Sequence, residues 1–111
     1  MTTEDLILVS VDDHIVEPPT MYDQHLTREQ KSFAPKVCKD ANGAEYWLFD
    51  GRRLGNVGLN AVVGRVREEF GCEPVTFEHM RKGAWNIDAR IDDMNVNGIL
   101  ASVNFPSVVT F

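Results

Sequence analysis

The apolar positions of the chain fall into three patterns. Leu6-Ile7-Leu8-Val9-Ser10-Val11 is a nearly continuous apolar run, the signature of a strand covered on both faces in a parallel sheet. Its β-branched content, short length and stop at Pro18-Pro19 favour a strand over a buried helix. The second pattern has a helical period. Ile87, Ile91 and Met94 recur at i, i+4 and i+7, while Asp88, Arg90, Asp92 and Asp93 take the opposite face. This spacing predicts a helix over 87–96, with Asn86 as N-cap and Gly98 as its stop. The third pattern, from Ile99 to Phe105, is again continuous and is halted by Pro106, which predicts a second buried strand. Helix into strand is the closing half of a βαβ unit whose first strand is 6–11.

Residues 18–85 read as an insertion in that unit. Thr27-Arg28-Glu29-Gln30 is a capping box that starts a short helix before Pro35 ends it. Residues 36–54 predict a β-meander: 36–39 and 45–49 flank Asp40-Ala41-Asn42-Gly43, and Asp50-Gly51 turns the chain again before Arg52-Arg53-Leu54. Asn42-Gly43 and Asp50-Gly51 supply the positive φ values that tight turns demand. The stretch "GNVGLNAVVGRVREEFG", residues 55–71, does not space its glycines as a phosphate-binding loop does, and reads as a loop packed on the surface.

At 111 residues the chain suffices for one modest domain. With 43% hydrophobic and 25% charged residues it has the make-up of a folding chain, not a disordered one. A net charge of -6 leaves no basic stripe to neutralise phosphates, so nucleic acid is not an expected partner. No apolar run approaches the roughly 20 residues that span a bilayer, and Met1-Thr2-Thr3-Glu4-Asp5 lacks the positive start of a secretory signal. The expectation is a soluble, cytoplasmic protein. Cys38 and Cys72 fit neither a disulfide framework nor a metal knuckle and are expected to be free thiols.

Candidate chemistry gathers where the first apolar run stops. Alternate residues of a strand project to one side, so Asp12 and His14 aim together just past its end while Asp13 faces elsewhere. Ligands collect at the carboxyl ends of parallel strands, and a carboxylate oxygen beside an imidazole nitrogen suits a divalent metal. The same pair also suits turn and capping chemistry. Glu17 is open between a further ligand, a general base, a partner orienting His14 through its other N–H, and a solvated residue before two turn-forming prolines. His25 and His79 lack partners at ligand spacing and read as surface or half-buried histidines.

The blocks "VSVDDHIVEPPTMYDQHL", "YWLFDGRRLGNVGLNAVVGR" and "FEHMRKGAWNIDARIDDMNVNGILASVNFPS", in this order, resemble the N-terminal part of amidohydrolase-related proteins of the aminocarboxymuconate-semialdehyde decarboxylase type. The resemblance implies an α/β fold, specifically the N-terminal fragment of a (β/α)8 TIM barrel that holds a divalent metal, with the meander inserted. It implies hydrolase or non-oxidative decarboxylase (carboxy-lyase) activity. The family's first barrel strand ends in a His-x-His pair of metal ligands, which falls on Asp12 and His14. Zinc is the first expectation, and the oxygen donor at position 12 makes manganese or magnesium competitors. Further family ligands, two histidines and an aspartate, have no counterpart before Phe111. Asn104 and Ser107 would line the substrate pocket, and Phe105 either lines it or packs in the core.

A closed barrel takes about 250 residues and eight strands, and this chain offers two. It ends apolar, from Pro106 to Phe111, which suggests a cut, since termini are usually polar and loose. It reads first as the N-terminal piece of a longer protein, otherwise as half of a split enzyme or as a stand-alone module. The expected function is part of a metal-dependent hydrolase or carboxy-lyase acting on a small carboxylated organic acid. Expected partners are that substrate, the remainder of the barrel from the same or another chain, and further copies in a homo-oligomer. The alternative is a non-catalytic association module that binds a partner chain through unpaired strand edges.

Overall fold

The computed structural model describes Thr2 and residues 5–71 and 75–107. Cys72, most of the N-terminal segment and the apolar end at 108–111 lie outside the described residues. Cys38 is a half-buried free thiol.

In chain order the elements are β1 (Leu8–His14), α1 (Met21–His25), α2 (Arg28–Phe33), β2 (Lys36–Lys39), β3 (Glu45–Phe49), β4 (Arg52–Asn56), α3 (Ile87–Val96) and β5 (Ile99–Phe105). Single-turn 3-10 helices at Arg67–Glu69, Phe77–His79 and Lys82–Ala84 link β4 to α3. β1 and β5 form a two-stranded parallel sheet, and β2-β3-β4 form a separate antiparallel one.

Local chemistry accounts for the meander. Asp40 Oδ1 accepts from Asn42 N at 2.9 Å and Ala44 N at 3.0 Å, closing the first turn around Gly43 at φ 83°. Asp50 (φ 49°) and Gly51 (φ 70°) close the second, the doubly left-handed pair that matches strand twist. Register puts Val37, Trp47 and Leu54 side by side across the three strands. Trp47, 1% exposed, therefore sits at the centre of the core, with Val16, Val57, Phe77, Met80 and Ala84 buried around it. Tyr22 meets its ring edge-on at 5.8 Å. On the opposite face the Arg53 guanidinium lies 4.2 Å over the Tyr46 ring. α2 opens on a reciprocal cap, Gln30 N to Thr27 Oγ1 and Thr27 N to Gln30 Oε1. α3 opens on Asn86 Oδ1, which accepts from Ala89 N at 3.0 Å, and Gly98 beyond its end has φ 67°.

The expectation of a (β/α)8 barrel fragment is overturned. One parallel pair and a detached antiparallel sheet are not the barrel pattern, and the core lies between the meander and the 77–85 segment, away from the parallel strands. The apolar runs misled because the meander's single buried face, with the turns after it, builds a core without them. β1 and β5 are accordingly not covered on both faces. Val11 is 71% exposed and Leu100 70%, with Leu8, Val9 and Val103 about half exposed. β1 also runs on to His14, past the expected stop at Val11.

The helix face is corrected too. Ile87 and Ile91 point to solvent, while Ala89, Arg90, Asp93 and Met94 are half-buried. α3 packs through that side because Asp93 is clamped by Arg81, whose Nε donates to Oδ2 at 2.8 Å and Nη2 to Oδ1 at 2.5 Å. Gly83 makes room for the clamp: a Cβ there would collide with Asp93 Oδ2.

The Arg81 hydrogen bonds, opposed by slight burial and helped by the positive charge, hold the Asp93 carboxyl below its ordinary value of 3.8. A depressed folded-state pKa stabilises above the ordinary value and is lost as pH falls through the lower one. Acid titration of the fold followed by circular dichroism is therefore expected to steepen below about pH 4, and less so in Asp93→Asn. Equal acid profiles for the two proteins would remove the clamp from the account.

Candidate functional site

The parallel pair ends in an irregularity that sets the site. Ser10 stands opposite Ser102 and Asp13 opposite Asn104, so three steps along β1 match two along β5. This bulge places Ser10 and Asp13 on one side of the strand and re-aims the residues beyond it. Asp13 faces α3: Ser102 Oγ donates to its Oδ2, and Arg90 Nη2 stands 3.1 Å from the same oxygen. The Ser102 hydrogen bond chiefly, with smaller help from Ser10 and Arg90 and against a burial penalty, holds Asp13 below the usual carboxylate range.

Asp12 and His14 come together away from that network. Asp12 Oδ1 is 3.6 Å from His14 Nε2, and the two side chains are 79% and 77% exposed. The His14 ring also tilts at 37° beside Phe105, centroids 5.8 Å apart. Two donors of one ion bonded at about 2.0–2.2 Å each commonly lie about 3–4 Å apart, so the spacing and chemistry of this oxygen–nitrogen pair fit a shared divalent cation. Among the described residues no group of three His, Cys, Asp or Glu gathers to hold a metal. Asp12 and His14 thus stand together without a third such group among those residues.

Glu17 does not join it. Its side chain is buried, 4% exposed, and accepts from Ser107 N at 3.0 Å and from Ser107 Oγ. It fastens the turn after β1 to the segment after β5. Ile15 N donates to Phe105 O at 3.1 Å and Val16 N to Ala84 O at 2.8 Å, fixing the same corner. Asn104 contacts Arg90, whose Nη2 donates to Asn104 Oδ1 at 3.1 Å, and donates its own amide to Ser102. His25 and His79 are exposed, and the His79 carbonyl accepts from Arg65 Nη2 at 2.9 Å.

A cavity of about 720 Å³ runs from the carboxyl ends of β1 and β5 along α3 to Ile99 at the start of β5, bounded by Ile15, Ser107, the loop 58–64, Arg90 and Met94. His14 contributes to its wall and Asp12 does not. Leu59 in that loop has φ 45°, a left-handed conformation uncommon for leucine and frequent at ligand-contacting positions. Periodicity gave no sign of Arg90 as a wall residue. The available signal lay in β5, where Ser102 and Asn104 put two polar groups on one side of an apolar run and so required a polar partner.

No protein-family model matches the chain, and no curated protein matches it. No helix among the described residues is long and apolar enough to cross a membrane.

Proposed function

We propose that the chain contributes one end of a metal-dependent hydrolase or carboxy-lyase site that acts on a small carboxylated organic acid. The observation that carries this is the Asp12–His14 pair, 3.6 Å apart and accessible at the tip of a parallel strand, beside a cavity large enough for such a substrate. The resemblance of the sequence blocks to amidohydrolase-related proteins points the same way. Asp12 and His14 would hold the cation, with zinc first and manganese or magnesium as competitors. Bound there, the cation would supply Lewis-acid polarisation and an activated water. The protein's own part is to hold the two donors on one side of the bulge, with Asp13 withdrawn into the Arg90–Ser102 network. The remaining donors would come from further polypeptide laid on the bare strands, from the same protein, a companion chain or another copy.

The exposed apolar residues of β1, β5 and α3 favour a second reading, an association module without chemistry, because apolar surface of this kind marks partner contacts. Calorimetric titration of the purified chain with zinc and with manganese separates the two. The expected result is weak binding, reversed by chelator, because two donors give low affinity, and lost in both Asp12→Ala and His14→Ala. Binding indifferent to both substitutions, or no binding at all, would leave the module.

A further inference from the structure

We infer that Arg90 is the carboxylate anchor of the cavity along α3, and that this cavity takes a small monocarboxylate with an apolar body. The inference rests on the proposed substrate class and names what would hold it. Arg90 is a half-buried cation on α3, its side chain 19% exposed, in a wall whose apolar side includes Ile15, Leu59, Val62, Met94 and Pro106 and whose polar side includes His14, Asn60 and Asn97. A guanidinium carries five N–H donors in a planar fork. Here Nη2 is taken, 3.1 Å from Asp13 Oδ2 and 3.1 Å from Asn104 Oδ1. Nε and Nη1 engage no protein acceptor among the described residues.

Donors without a protein acceptor call for another acceptor, and a carboxylate is the group whose two oxygens match one edge of the fork. The other charges of the wall set the valence. Arg81 is committed to Asp93 through both of its bonded nitrogens, and Asp13 faces Arg90, so the fixed charges of the four groups cancel. One added negative charge can sit at the free edge of Arg90, whereas a second would meet Asp13 or Asp93. Hence the ligand is a monocarboxylate, and its body packs on the aliphatic side chains.

The same geometry revises the roles of the residues around it. Asn104 is absent from the cavity wall and acts through Arg90, whose Nη2 it holds at 3.1 Å. It is a positioning residue. Ser107, whose hydroxyl is given to Glu17, shapes the rim.

The test is a titration of the isotope-labelled chain with benzoate and, separately, benzyl alcohol, followed by amide NMR shifts in chelator-containing buffer. Benzoate is expected to give saturable shifts at Ile15, Leu59, Arg90 and Met94, and benzyl alcohol to bind about tenfold more weakly or worse. Arg90→Met should abolish the preference for the carboxylate. Asn104→Ala should weaken benzoate while leaving benzyl alcohol binding unchanged. Should Arg90→Met fail to fold, Met94→Trp fills the cavity with Arg90 intact and is expected to block benzoate. Benzoate bound equally by Arg90→Met or Met94→Trp, matched by benzyl alcohol, or perturbing residues elsewhere would overturn the assignment. Because metal is withheld, failure here is distinct from failure at Asp12 and His14, which the metal titration reads alone.

Discussion

Trp47→Ala is expected to cost the fold about 3–5 kcal/mol, the usual range for emptying a large aromatic site. Trp47 lies in the middle strand of the meander, flanked by Val37 and Leu54 and met edge-on by Tyr22. Val16, Val57, Phe77, Met80 and Ala84 pack around it, and such surroundings relax only partially into the space left. Native domains hold only about 5–15 kcal/mol in all, and a chain this size with its apolar strands bare belongs at the low end. The variant should therefore show no cooperative transition in urea followed by far-ultraviolet circular dichroism. Trp47→Phe is the informative companion. The indole Nε1 is buried and has no hydrogen-bond partner among the described residues, so phenylalanine discards an unsatisfied donor along with some volume. Its loss should be well below that of alanine. An alanine variant within about 1 kcal/mol of the parent, a typical loss for an average substitution, would show that the core is not centred here.

Glu17→Ala is expected to lower stability by about 2–3 kcal/mol, since it strands the Ser107 amide and hydroxyl where a charged acceptor had satisfied both. A cycle with Ser107→Ala should show coupling through the hydroxyl hydrogen bond, the backbone one surviving that substitution. Tyr22 offers a second readout. Burial first, and the nearby Glu17 charge second, push its phenol above the ordinary 10.0. Ultraviolet titration should find the phenol of the Glu17→Ala protein moved down toward that value and still above it, because burial remains. An unmoved Tyr22 and additive losses in the cycle would mean that Glu17 does not clasp Ser107 in solution.

How much could be read from the chain alone depends on the range of the interactions. The capping box at Thr27 and Gln30, the Asp50-Gly51 turn and the helix between Asn86 and Gly98 are each set by residues a few positions apart, and all three stand in the structure. The grouping of Asp12 with His14 on one side also needed only strand geometry. The inward face of α3 did not emerge from its period, because the Arg81 clamp and the Ser102–Asn104 edge of β5 draw in Arg90 and Asp93 and turn Ile87 and Ile91 out. Nor could the bulge be read, since an extra residue in β1 has meaning only against the register of β5. Glu17 was left open among four roles because its acceptor function depends on a serine ninety positions away. The expectation of strands covered on both faces failed for a related reason: continuous apolar runs state that a strand can be covered, not that this chain covers it.

That same separation orders the assembly of the molecule. The meander closes through neighbours in sequence, whereas β1 and β5 must find each other across a loop of some ninety residues, and chain closure over such a span is slow and unrewarded until it is complete. The meander strands are therefore expected to pair early and the β1–β5 corner that holds Asp12 and His14 to close last. Events that loosen the chain will release this corner first, so amide hydrogens of β1 and β5 exchange through partial opening while those of β3 wait for the whole structure to come apart.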